Sequence, residues 1–166
     1  GIAKSEEAIE IAQNVFASKS IQLSDNSQDD RSLDKLEEEG VYLMNQLHGA
    51  RQNTGYASPD DPVTYAIYKD AIRYGYGNLW LRPGLTIRQR MLCAISGFTI
   101  LGLHNSLKKF ALSALNVGLT KEETIEAALQ TAPWNSLPVA ISAVSTINEA
   151  YTIETETGRS RKGMST

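Results

Sequence analysis

The stretch Leu79–Pro138, LWLRPGLTIRQRMLCAISGFTILGLHNSLKKFALSALNVGLTKEETIEAALQTAPWNSLP, carries the helix starts and stops that decide how this chain folds. Thr86 with Gln89, and Thr120 with Glu123, each set a hydroxyl three residues before an amide or acid, so that side chain and backbone can cap one another at a helix N-terminus. Arg82-Pro83-Gly84 turns the chain ahead of the first box, and Gly118 follows Asn116 where a helix end favours a left-handed residue. From Ile87 to about Leu103 the sequence is apolar on most sides beyond Arg90, which predicts a central helix wrapped by this domain or by another subunit. Leu107, Phe110, Ala111, Ala114 and Leu115 recur at helical spacing between Ser106 and Asn116, as do Ile125, Ala128, Leu129 and Ala132 before Pro133. Ser136 and Pro138 then open a last helix through Ile141, Val144, Ile147 and Tyr151.

Working outward, Ser5–Ala17 reads as a helix with Ala8, Ile11, Ala12, Val15 and Phe16 on one side, and 18–30 as a polar linker. A second helix is expected from Ser32 to His48, with Leu33, Leu36, Val41, Met44 and Leu47 inward and Gly49 at its end. Arg51–Tyr56 is turn-like, and Ser58-Pro59-Asp60-Asp61 looks like a further helix start: a capping serine, a proline and first-turn acids. That helix carries Val63, Ile67, Ala71 and Ile72 with Tyr65, Tyr68, Tyr74 and Tyr76, loosened at its end by Gly75 and Gly77. No run alternates apolar and polar residues for long enough to make a strand. The expected fold is therefore all-α, a compact bundle of about six to seven helices. It is read as a single domain over 1–154, with its core at 79–151 and a flexible polar tail at 155–166.

A chain of 166 residues that is 42% hydrophobic can bury one sizeable core. The net charge of -3 and the lack of a face collecting the 16 Lys and Arg argue against nucleic acid and anionic membrane as partners. The one basic cluster, Arg159, Arg161 and Lys162, lies in the tail. A single cysteine, Cys93, excludes an internal disulfide framework and a cysteine-rich zinc site, which fits a reducing, cytoplasmic setting. No metal is expected, since the two histidines have no ligand spacing. No segment reaches the roughly 20 apolar residues that span a bilayer. The N-terminus lacks the pattern of a secretory signal, and its leading Gly1 is read as a scar or a processed end.

The succession Gly77-Asn78-Leu79-Trp80-Leu81-Arg82-Pro83-Gly84-Leu85, then Arg88 and Arg90, then Ala114-Leu115-Asn116 with Gly118-Leu119-Thr120 and Glu123, and finally Pro138, resembles the carboxymuconolactone decarboxylase family. This family is related to the alkyl hydroperoxidase-like proteins, and the likeness covers about the last two thirds of the chain. The resemblance implies an all-helical protomer in a ring-like trimer or hexamer and a cofactor-free decarboxylation of a lactone acid. Cofactors are accordingly expected to be none. Two departures bear on chemistry: the family's histidine falls at Phe110 and the acid one turn before it at Ser106. The paired cysteines of the peroxidase branch fall near Leu103 and Ser106, so thiol peroxidase chemistry is disfavoured.

Arg82 and His104 are the candidate catalytic residues, Arg82 as a clamp for a substrate carboxylate and His104 as a displaced proton donor. Trp80, Phe110, Trp134, Tyr74 and Tyr76 are the candidate substrate-binding residues, forming an aromatic pocket. Arg88 and Arg90 read as solvated or interfacial, Lys108 and Lys109 as solvated, and His48 as a last-turn histidine favoured by the helix dipole. Two functions fit these residues. One is a cofactor-independent lyase or isomerase acting on a small oxo acid, lactone or polyketide-like intermediate by decarboxylation, isomerisation or cyclisation. The other is a non-catalytic small-molecule-binding or scaffold protein.

Overall fold

In a computed structural model the backbone is described for residues 2–22, 29–52 and 58–163, and side chains within those ranges from 4 to 155. Every regular element among them is helical, and none is long and apolar enough to cross a membrane. The chain divides into two compact units, 1–30 and 31–166. The first unit is the helix α1, Ile2–Ser18, closed by Ser18 donating to the Val15 carbonyl at 2.7 Å. Ile11 and Val15, on its apolar side, are exposed.

The second unit begins with α2, Leu33–His48, capped by Ser32 accepting from the Lys35 amide at 3.2 Å and ended by Gly49 at φ 53°. Its buried stripe is Leu36, Gly40, Leu43, Met44, Leu47 and His48. Val41, one residue off that stripe, and Leu33, in the opening turn, face solvent against expectation. A short 3₁₀ turn, Gly49–Arg51, follows.

The helix start predicted at Ser58 is instead a string of turns. Ser58 Oγ accepts from the Asp60 amide at 3.3 Å and Asp61 Oδ1 from the Val63 amide at 2.8 Å. Pro62 accounts for the delay, because proline biases the residue before it away from helical geometry. The helix α3, Tyr65–Asp70, starts only after Thr64 and widens at once into a π-helix, Ala71–Leu79. Such wide turns are rare, and here the one-residue expansion rotates the side chains that follow it toward α2.

α2 and the π-helix cross with their backbones in contact. A Cβ on Gly77 falls 2.0 Å from the Leu36 carbonyl oxygen, and one on Gly40 falls 2.4 Å from that of Ile72. Gly77 therefore does not loosen a helix end; its missing side chain lets two backbones touch. Ionic staples flank the contact: Arg31 pairs with Glu39 and donates to the Gly77 carbonyl at 3.0 Å, and Arg73 Nε donates to Glu37 at 2.8 Å.

Downstream, α4 (Ile87–Ile100) and α6 (Lys121–Leu129) open with both predicted capping boxes formed. α5 spans His104–Asn116, a 3₁₀ turn covers Ala132–Trp134, and α7 runs Leu137–Gly163, past the predicted end near Glu154. The central helix is α5, which touches α2, α4, α6 and α7. α4 buries Met91, Ile95 and Thr99 but exposes Cys93 and Ile100, so within one chain it is covered on one face only. Leu107, Phe110, Ala111 and Ala114 of α5 meet Leu43, Leu47, Met91, Ile95, Ala143, Ile147 and Tyr151 in one core.

Gly77→Ala is expected to lower unfolding stability by about 1–3 kcal/mol, because a methyl group has no room at the crossing. Gly75→Ala, at a site with nothing within 4 Å, should be neutral or slightly stabilising. Denaturant titration of the two variants checks the contrast; equal effects count against the crossing.

Candidate active site

His48, at the C-terminal end of α2, is 1% exposed, so both ring nitrogens need partners inside the protein. The Ser113 hydroxyl donates to the Lys109 carbonyl at 2.9 Å, which commits its proton and leaves its oxygen to accept. Nδ1–H of His48 therefore donates to Ser113 Oγ at 2.7 Å, and the Nε2 lone pair accepts the Tyr76 hydroxyl at 2.8 Å. The relay ties α2, α5 and the π-helix together. Burial, followed by the cations of Lys109 and Arg51, pushes the pKa of His48 down to about 3. A helix-dipole histidine is favoured as a cation, so that reading gives way to a neutral, buried imidazole.

Around the relay stand aromatic rings. Phe110 meets the His48 ring edge-on at 4.8 Å and Phe98 at 4.8 Å, and lies 6.0 Å from Trp80, which stacks on Tyr76 at 6.2 Å. Beyond Phe98 opens a cleft of about 550 Å³ at the junction of α4 and α5, lined by Phe98, Gly102, Leu103, His104, Asn105 and Ser106. Its volume is that of a small-molecule site, about 300–1,000 Å³. A second groove, of about 640 Å³ between α4 and α6, has Leu92 and Ala127 in its lining and Glu122, Glu123 and Glu126 beside them, which disfavours carboxylates there.

His104 is held by one nitrogen. Thr146 donates its hydroxyl proton to the Ser142 carbonyl at 2.9 Å, so its oxygen accepts Nδ1–H of His104 at 2.9 Å. The neutral ring then carries a bare lone pair on Nε2, which has no hydrogen bond among the described residues. An imidazole fixed in this way can take up a proton and return it.

The other sequence candidates separate. Tyr76, Trp80 and Phe110 pack together without lining the cleft, but Trp134 is 86% exposed on its 3₁₀ turn and Tyr74 is 54% exposed, so neither joins them. Two positions from Tyr76 reverse the helix face for Tyr74. Arg82 is half-buried, and its guanidinium has no hydrogen bond or ion pair among the described residues. Arg88 pairs with Glu123 at 2.6 Å and caps the Gly118 carbonyl, and Arg90 holds the carbonyls of Arg82 and Pro83. Both are structural. Lys108 pairs with Glu149 at 3.1 Å, whereas Lys109, read as solvated, is half-buried with its Nζ donating to the Gln52 carbonyl at 2.8 Å. Sequence reasoning passed over Phe98, Ser113 and the burial of His48. The last had a signal, since His48 lies four residues beyond Met44 on the inward stripe of α2.

With a folded pKa near 3 against about 6.5 in the unfolded chain, His48 binds its proton in the unfolded state first. Its contribution is complete above pH 6.5 and is lost as pH falls toward 3, amounting to about 3 kcal/mol between pH 6.5 and 4. Urea titrations from pH 4 to 7 should show a shallower pH slope for His48→Gln than for the parent; parallel slopes rule out the buried neutral imidazole.

Residues 66–149 match the Carboxymuconolactone decarboxylase family. A 4-carboxymuconolactone decarboxylase from Acinetobacter baylyi is 30% identical over 79 residues, or 48% of this chain. The chain spans 59% of that relative's length. The family match takes in α3, the π-helix, the cleft and most of the aromatic cluster, and leaves α2 with His48 outside it.

Proposed function

We propose, on the premise that this chain belongs to the carboxymuconolactone decarboxylase family, that it is a cofactor-independent lyase or isomerase. Its substrate is a small oxo acid, lactone or polyketide-like intermediate bound in the cleft at the start of α5. The observation carrying this reading is His104, whose Nδ1 is engaged by Thr146 and whose Nε2 is bare beside a cleft of about 550 Å³. Loss of CO₂ next to a carbonyl or double bond leaves enolate-like charge, which needs a donor to hold it and an acid to reprotonate carbon. Protonated His104 supplies the acid. Leu103 provides no side-chain cap; the His104 amide is held by the Gly102 carbonyl at 3.1 Å, which leaves the Asn105 and Ser106 amides of the first turn for the developing oxyanion. Phe98 and Leu103 offer apolar wall to the substrate's body, and Phe110 backs Phe98, with Trp80 and Tyr76 behind it.

Arg82 is the proposed carboxylate anchor, by reason of its unengaged guanidinium. It does not line the cleft of its own chain, so this role is assigned across a subunit boundary in a homo-oligomer, a trimer or hexamer. Exposed Leu101, Trp134, Leu137 and Ile141 supply apolar surface for such an assembly, and the Asn135 side chain, donating to the Ile100 carbonyl at 3.1 Å, ties the ends of α4 and α7 beneath them. The exposed free thiol of Cys93 suits a reducing, cytoplasmic setting.

Assays on a panel of oxo acids and lactones test the assignment. His104→Asn should cut kcat by about 10²-fold or more. Thr146→Val should have a smaller effect of the same kind, and Arg82→Ala should chiefly raise KM. Sedimentation should give a trimer or hexamer, dissociated by Trp134→Asp. Absence of turnover across the panel defeats the enzymatic reading and favours a non-catalytic small-molecule-binding or scaffold protein, for which the apolar lining of Phe98 and Leu103 speaks. Native mass spectrometry then separates those two, since a binder retains a ligand and a scaffold carries none.

A further inference from the structure

We propose that the cleft at the start of α5 has a second activity, the removal and return of a proton on the carbon beside a neutral ketone, with no carboxylate on the substrate and no loss of CO₂. This rests on the reading of the cleft as the active site and extends it to substrates that carry no acid group. The lining, Phe98, Gly102, Leu103, His104, Asn105 and Ser106, contains no lysine or arginine among the described residues. Within the chain a carboxylate meets no fixed cation there, whereas an apolar ketone meets apolar wall and hydrogen-bond donors.

Those donors stand together in one helical turn. The amides of Asn105 and Ser106 have no carbonyl partner, while the next amide, that of Leu107, is closed on the Leu103 carbonyl at 2.9 Å. The side chains of Asn105 and Ser106 also make no hydrogen bond among the described residues. Half-buried Ser106 thus offers an N–H and an O–H from one residue, and both bonds strengthen as charge gathers on a substrate oxygen. His104, two residues away, is the proton carrier. Its Nδ1–H is committed to Thr146 at 2.9 Å, so the uncharged ring keeps its lone pair on Nε2. An acid that returns a proton to carbon is, once uncharged, the base that takes one off. The enolate is stabilised by the same donors whether CO₂ or a proton has left.

A β,γ-unsaturated ketone shows the full cycle. Nε2 takes the proton from the carbon between the carbonyl and the double bond. The C–H electron pair forms a new C=C bond, and the carbonyl pair moves onto oxygen, where the Asn105 and Ser106 donors hold it. The imidazolium then gives its proton to the γ carbon as the electrons return to the carbonyl. A conjugated ketone leaves, an isomer of the one that entered, and His104 is neutral again.

Isomesityl oxide is the probe, because its conversion to mesityl oxide is followed by ultraviolet absorbance, and in deuterium oxide the label appears in the product. The full chain should convert it faster than buffer alone. His104→Asn should lower kcat by about 10²-fold or more. Ser106→Ala should lower it by about 10²-fold, and Ser106→Thr, which keeps the hydroxyl, should recover most of that loss. Glu126→Gln, in the groove between α4 and α6, should leave the rate unchanged. A rate no faster than buffer overturns the proposal, as does turnover that survives both His104→Asn and Ser106→Ala. CO₂ release from the oxo acids, measured alongside, keeps the two failures apart. Release without isomerisation overturns the second activity and leaves the lyase reading standing, and isomerisation without release does the reverse.

Discussion

A neutral imidazole sealed from water must find a donor and an acceptor inside the protein, and the arrangement of this bundle answers that demand at His48. Tyr76 gives one hydrogen bond from the π-helix and Ser113 takes the other on α5. The hydroxyl of Tyr76 reaches that ring because Gly77, beside it, lets the π-helix settle onto the Leu36 carbonyl. A side chain at 77 would lift the helix and leave a buried nitrogen without its partner. One polar contact and one backbone crossing are thus parts of the same constraint.

The constraint sets the character of α5. Central in the bundle, this helix presents different chemistry along its length: His104 and Ser106 at the cleft, Phe110 against the aromatic rings, Lys109 toward the end of α2 and Ser113 beneath the imidazole. Phe98 is the hinge between the regions, lining the cleft and packing edge-on to Phe110, which in turn touches His48. The side chains at the cleft therefore rest on a wall braced, through Phe110, by the His48 relay. That bracing limits how far the apolar wall can relax when a ligand enters.

Much of the fold was legible because its signals are local. The hydroxyls of Thr86 and Thr120 and their partners three residues on formed both capping boxes, Gly49 and Gly118 took the left-handed φ that ends a helix, and the Leu107-Phe110-Ala111-Ala114 stripe is buried. The resemblance to the carboxymuconolactone decarboxylase family rested on the same punctuation and agrees with the family match over 66–149. Where local reading went astray, a neighbour in space or a second proline had the stronger say. Pro62 displaced the helix start expected at Ser58, and the close approach of α2 gave Gly77 a packing role.

By itself the sequence determined that the chain is helical, where α4 and α6 begin and where α2 and α5 end, since capping and apolar spacing act within a few residues. It also brought Tyr74, Tyr76, Trp80, Phe110 and Trp134 forward as one aromatic group. Only the tertiary structure decided that Trp134 and Tyr74 stand away from Tyr76, Trp80 and Phe110, that His48 is neutral between Tyr76 and Ser113, and that two adjacent lysines on one helix differ, with Lys108 against a carboxylate and Lys109 beside Arg51. The reason is physical: protonation and exposure are set by burial and by charges brought from distant parts of the chain, and neither is encoded in the spacing of nearby residues.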